Sequence, residues 1–147
     1  MLVVIASLEG VLADNSHRQH LFKAGLWDEY EAACVDDLPF QNTVSAVRLL
    51  MHEEYRFVIV TVRYQQWEFQ TNAWLGKYGI YPDWVMYRDK YDIPKTKEPI
   101  LKMQYLEEIR RNYGDGHYLA LDHKDDVVEA YRNAGVECWQ VRNGVLG

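Results

Sequence analysis

Three short stretches of this chain set polar, reactive side chains directly after apolar runs. In IASLEG, Ser7 and Glu9 stand two residues apart on a turn that follows LVVIA. In FVIVTVR, Thr61 and Arg63 follow a second run, and in HYLALDHK, Asp122, His123 and Lys124 follow a third. A carboxylate moves protons, an activated hydroxyl attacks electrophiles, and arginine grips phosphate oxygens with a planar fork. Together these are the parts of phosphoryl chemistry. Strand ends turn polar wherever they reach water, which accounts for any one of the three. It accounts less well for hydroxyl, guanidinium and carboxylate at three ends at once. His17 and His20 lie three residues apart; two histidines with no third ligand are more often structural than metal-binding.

Groups from distant stretches meet only if the fold gathers the ends of the runs. Residues 2–7, 57–61, 83–87, 117–122 and 137–141 read as strands, several of them near-continuous Val- and Ile-rich runs covered on both faces. Segments 42–54, 65–79, 98–114 and 124–135 alternate with them and read as helices. The third opens on Glu98-Pro99 and closes on Arg110, Arg111 and Gly114, as helix ends prefer. Strand–helix alternation predicts an α/β class with a parallel sheet. Ligands of such sheets sit beyond the carboxyl ends of the strands, where Ser7, Thr61 and Asp122 lie.

Composition bounds the rest. With 147 residues and 48% hydrophobic side chains, the chain fills one domain with a real core. Its 22 acids against 16 bases leave a net charge of -6, which argues against coating nucleic acid through a broad basic face. A small basic pocket for one phosphate stays compatible with that charge. No run approaches about 18 apolar residues, so no membrane span is expected. MLVVIASLEG lacks a basic leader and a small-residue cleavage site and reads as a buried strand. Cys34 and Cys138 are far apart without CxxC spacing, as packed thiols of a cytoplasmic protein would be.

In order and spacing, the motifs resemble the haloacid dehalogenase superfamily of phosphohydrolases. More narrowly they resemble the 3′-phosphatase domain of bacteriophage polynucleotide kinase and the small phage and bacterial phosphatases related to it. SLEGVLADNSHR stands where the family has its DxDGT turn. IVTVR stands at the end of its second strand, and TNAWL in the helix that follows. ILKMQYLEEI places Lys102 at the family's lysine, and LALDHKDDVVEAYR and GVECWQV match its fourth and fifth strands. The resemblance spans nearly the whole chain. It implies a Rossmann-like fold of five parallel strands in the order 5-4-1-2-3, flanked by helices, as a single domain over 1–147. Residues 14–38 would form a minimal cap or flap.

The resemblance also implies roles. In the family, the first aspartate of the turn attacks phosphorus and the second, two residues on, serves as acid and base. Magnesium is held by the first aspartate, a turn carbonyl and an aspartate after the fourth strand. Here Ser7 stands at the nucleophile position and Glu9 at the acid/base position. A serine without a neighbouring base is a poor nucleophile and a weak magnesium ligand. Glu9 keeps the charge but is one methylene longer, and a shift of about 1 Å in a catalytic group costs roughly a hundredfold. Asp122 matches the first aspartate of the late pair, as the candidate metal ligand, and His123 replaces the second. Thr61, Arg63, Lys102 and Arg18 match the groups that hold the phosphoryl oxygens and the substrate. Val62 replaces a glycine and would narrow that pocket, and His17 could face the ligand.

Three readings follow. The first is an impaired phosphatase that still binds a phosphorylated ligand, a nucleotide or a nucleic-acid end, with its magnesium site weakened or lost. The second is a working metal-dependent phosphohydrolase of the polynucleotide 3′-phosphatase or nucleotidase type, with Glu9 as the base for Ser7 or as a metal ligand that activates water. The third is a protein-interaction module on a dead scaffold, binding a protein partner through an outer surface.

Overall fold

A run such as LVVIAS is stable as a strand only where both of its faces are covered, because no polar residue interrupts it. In the computed structural model, which describes residues 1–142, Val3 to Ser7 are all buried at the centre of a five-stranded sheet. Residues 143–147 of the expected domain lie outside the described residues.

The chain runs β1 (Leu2–Ser7), β2 (Ala13–Asp14), α1 (Gln19–Lys23), α2 (Trp27–Ala32), β3 (Leu38–Pro39), α3 (Gln41–Leu50) and β4 (Arg56–Tyr64). It continues through α4 (Glu68–Lys77), β5 (Trp84–Arg88), α5 (Glu98–Tyr113), β6 (His117–Asp122), α6 (Asp125–Asn133) and β7 (Glu137–Gln140). All pairings in the main sheet are parallel, and its order is β5-β4-β1-β6-β7. Counting sheet strands alone along the chain, this is the expected order read from the opposite edge. Parallel neighbours need crossovers, and α3, α4, α5 and α6 supply them.

Alternation along each strand divides the core in two. Val3 and Ile5 of β1, with Val58 and Val60 of β4, pack under α5 and α6 against Leu101, Tyr105, Ile109, Val127 and Tyr131. Val4 and Ala6, with Phe57 and Ile59, pack under α3 and α4 against Val44, Val47, Trp74 and Leu75. The expected helix over 42–54 stops at Leu50 instead. Beyond it, His52, Glu53 and Glu54 have nothing apolar to bury, and the chain turns there, with the Tyr55 N–H on the His52 carbonyl at 2.9 Å, to feed β4. The expected strand 57–61 runs on to Tyr64. Buried polar partners hold Arg63, so the strand does not stop at the core's edge.

Between β1 and α3 the chain makes a small excursion. β2 and β3 pair antiparallel, Ala13 against Pro39 and Asp14 against Leu38, and the segment 14–38 loops out between them. Phe22 at the end of α1 stacks edge-on against Trp27 and Tyr30 of α2, at centroid distances of 5.0 and 5.4 Å. Among the described residues no helix is long and apolar enough to cross a membrane.

Candidate functional site

The ends of β1, β4 and β6 are adjacent in the sheet, so Ser7, Thr61 and Asp122 meet at one rim. The side chain of α5 that reaches them is Lys102, one helical turn after Glu98, and it is 1% exposed. Its Nζ donates to Ser7 Oγ at 3.0 Å and to Asp122 Oδ2 at 2.9 Å, and lies 3.9 Å from Glu98. Burial works against the ammonium, but Asp122 and Glu98 outweigh it and hold the lysine well above its ordinary range. Burial likewise works against the Asp122 carboxylate. The Lys102 charge, with hydrogen bonds from the His123 side chain, from Lys102 and from the His123 backbone N–H at 2.7 Å, holds it well below the usual carboxylate range.

Ser7 and Glu9 sit on a turn closed by the Leu12 and Ala13 N–H groups on the Leu8 carbonyl, at 2.9 and 2.8 Å. Gly10 takes φ +83 in this turn, and a Cβ there would lie 2.2 Å from the His123 ring. Ser7 Oγ donates to the Glu9 carbonyl at 3.3 Å. The Glu9 carboxylate points the other way, to β4, where Thr61 Oγ1 lies 2.7 and 3.0 Å from its two oxygens and Arg63 Nε 3.2 Å from one. A hydroxyl carries one proton, and that of Ser7 faces a carbonyl. The geometry needed for Glu9 to act as the base for Ser7 is not the geometry of this turn.

Arg63 is held on every side. Its Nη1 donates to Thr71 Oγ1 of α4 at 3.0 Å and its Nη2 to Asp37 Oδ2 at 2.9 Å. Asp37 also receives Arg18 through both Nε and Nη2, at 2.8 and 2.9 Å, and His17 Nε2 at 2.8 Å. Arg18 lies over the Tyr30 ring at 4.4 Å. Burial opposes the Arg18 charge, yet Asp37 wins and keeps the guanidinium protonated. The chain thus brings Ser7, Glu9, Thr61, Arg63, Lys102, Asp122 and His123 to one rim, with Arg18 and His17 joined to it through Asp37. Val62 points to the opposite face of β4, packing with the cluster under α5, so it does not narrow the space beside Thr61.

Asp37 has no motif of its own in the sequence, and Thr71 stands there only as the threonine of TNAWL, with no role assigned. Asp37 follows Asp36, an exposed acid of the same type, and spacing does not separate the two. Arg142 was also missed. From just beyond β7, its Nη1 donates to the Gly10 carbonyl at 2.7 Å and its Nη2 to Thr43 Oγ1 at 3.0 Å, bracing the turn.

Magnesium asks for near-octahedral oxygen ligation, anchored by one or two carboxylates. Asp122 already spends Oδ2 on Lys102 and Oδ1 on a backbone N–H. Glu9 is turned toward Arg63, and His123 offers a ring nitrogen, a softer donor than oxygen. Among the described residues no three His, Cys, Asp or Glu side chains are grouped to hold a metal ion. The donor set does not fit a tight magnesium site.

The sequence matches the family described as the polynucleotide kinase PNKP phosphatase domain over residues 2–145. No curated protein matches it. Among solved structures, a chain of the Pnkp1/Rnl/Hen1 complex superposes with a TM-score of 0.74 at 23% identity, covering 97% of this chain and 46% of that one. A chain of the Pnkp1/Rnl/Hen1 RNA repair complex gives 0.75 at 23% identity, over 98% and 43%. This chain therefore spans less than half the length of either. The D,D-heptose 1.7-bisphosphate phosphatase from B. bronchiseptica, complexed with magnesium and phosphate, gives 0.64 at 16% identity, over 98% and 83%. At these identities the likeness is one of fold, that of the haloacid dehalogenase superfamily.

Proposed function

As the chain belongs to the polynucleotide kinase PNKP phosphatase-domain family, we propose that it binds a phosphorylated ligand, a nucleotide or a nucleic-acid end, and hydrolyses it poorly or not at all. The observation that carries this reading is the setting of Ser7. Its hydroxyl donates to a backbone carbonyl and accepts from Lys102. A serine nucleophile needs a base to take its proton, and its side-chain neighbour is a charged ammonium that donates. Lys102 and Arg63 supply fixed positive charge, and Thr61 a hydroxyl, at the rim where α/β folds bind ligands. These donors favour an anion without requiring that a bond be broken.

The test is phosphate release from a nitrophenyl ester, nucleotides and a 3′-phosphorylated oligonucleotide, with magnesium, manganese or zinc. It is run beside thermal shift with the same ligands. The expected result is a stabilising shift with a phosphorylated ligand, lost in Lys102→Ala and Arg63→Ala, and no turnover above background. Turnover that disappears in Ser7→Ala or Glu9→Gln would instead establish a working hydrolase, and no shift with any ligand would remove the binding role.

A further inference from the structure

We propose that Glu9 is the resident anion of an oxyanion pocket, its carboxylate occupying the donors of Thr61 and Arg63 that an incoming phosphate must take. The inference rests on the ligand-binding reading above and adds how that site is closed. A carboxylate and a phosphoryl group present the same feature to a donor, charged oxygens at hydrogen-bond distance. Thr61 Oγ1 donates its one proton to the Glu9 carboxylate, 2.7 and 3.0 Å from its two oxygens, and Oε1 also accepts from Arg63 Nε at 3.2 Å.

The donors are held without Glu9. Arg63 is anchored through Nη1 to Thr71 and through Nη2 to Asp37, which leaves Nε aimed at the pocket. Thr61 Oγ1 accepts the Arg63 backbone N–H at 3.1 Å, which orients its own proton outward. Removing the carboxylate therefore leaves a formed cradle and does not let it collapse. It also leaves a charge. Arg18 and Arg63 are both buried and both bonded to Asp37, and Glu9 is the second carboxylate on Arg63. Without Glu9, Asp37 alone is bonded to two buried guanidiniums, and that local excess of positive charge favours an incoming anion. Glu9 is also the member nearest solvent, 7% exposed where Thr61 is 1% and Arg63 2%. It is the side chain that can swing out while its partners stay.

The wild-type pocket is closed to a weakly competing anion because the anion must expel a carboxylate already bonded there. The experiment is calorimetric titration of inorganic phosphate and of tungstate, with EDTA present, into wild type, Glu9→Gln, Glu9→Ala and Glu9→Asp. A fifth protein combines Glu9→Gln with Thr61→Val. Glu9→Asp keeps the counter-charge of Arg63, and with it the fold, while drawing the carboxylate back by one methylene. Melting curves confirm that each protein is folded.

All three single variants are expected to bind phosphate more tightly than wild type, Glu9→Gln and Glu9→Ala by about ten- to a hundredfold, the range spanned by a hydrogen bond to a charged group. Thr61→Val should cancel the gain. Equal affinity in wild type and all Glu9 variants would overturn the inference, as would a gain that survives Thr61→Val. If wild type is shifted by a 3′-phosphorylated oligonucleotide while the Glu9 variants gain nothing, only this inference falls. If no protein of the set binds any phosphorylated compound, phosphate or tungstate, the ligand-binding reading falls with it.

Discussion

Lys102 Nζ lies 2.9 Å from Asp122 Oδ2, and both side chains are sealed from solvent. A pair like this holds together because neither charge can be left alone in the interior. Lys102→Met should therefore destabilise the protein by about 3–5 kcal/mol, since Asp122 stays buried without its counter-charge. Urea denaturation should show a smaller loss for Lys102→Met combined with Asp122→Asn than the two single losses predict together.

The same pair gives a pH dependence of defined sign. Against burial, Lys102 and His123 lower the folded-state pKa of Asp122 from the ordinary 3.8. A depressed carboxylate contributes stability above its unfolded value, and that contribution is lost as pH falls through the folded one. The stability gap between wild type and Asp122→Asn should be constant near neutrality and should narrow as pH falls below about 4. A gap that widened in acid would contradict the assignment.

Asp37 accepts from Arg18, Arg63 and His17, which makes one carboxylate the partner of two buried guanidiniums. Asp37→Ala is expected to cost about 3–5 kcal/mol, as breaking a buried ion pair does. Asp36→Ala next to it, on an exposed side chain, should stay within about 0.5 kcal/mol of wild type. Arg63→Lys should behave like a loss, because an ammonium cannot reach Glu9, Thr71 and Asp37 in three directions at once.

The difference between Asp36 and Asp37 also shows what the sequence could reveal. The five strands were readable because continuous Val and Ile runs have one stable setting, a sheet covered on both faces. Ser7, Thr61 and Asp122 were readable because each is the first polar residue after such a run. Asp37 follows no run, and its role depends on a fold that carries Arg18 and Arg63 to it from elsewhere. The direction of the Glu9 carboxylate was hidden for another reason. Residue type fixes a charge but not a rotamer, and only the position of Arg63 beyond the expected end of β4 turns that charge toward Thr61 and away from Ser7.

Burial makes both thiols poor nucleophiles. It pushes Cys138 up to about 11, with the nearby Asp122 charge acting in the same direction, and it raises Cys34 as well. The thiolate is the reactive form. Native protein near neutral pH should leave both cysteines unmodified by a disulfide reagent, and denaturant should release two reactive thiols per chain. Rapid reaction of the native protein would mean that Cys34 or Cys138 is far more open than its packing indicates.

Gly10 and His123 test how tightly the turn is built. Two separate demands meet at Gly10, a backbone at φ +83 and a Cβ position 2.2 Å from the His123 Nδ1. The first costs an L-residue about 1–2 kcal/mol, and the second forces the imidazole to move or the turn to open. Gly10→Ala should thus lose more stability than the backbone conformation alone explains. In a His123→Ala background the clash is relieved while the φ remains, so the same substitution should cost only the backbone share. Double-mutant denaturation curves separate the two. If Gly10→Ala costs the same with and without the His123 ring, the imidazole does not lie over the turn.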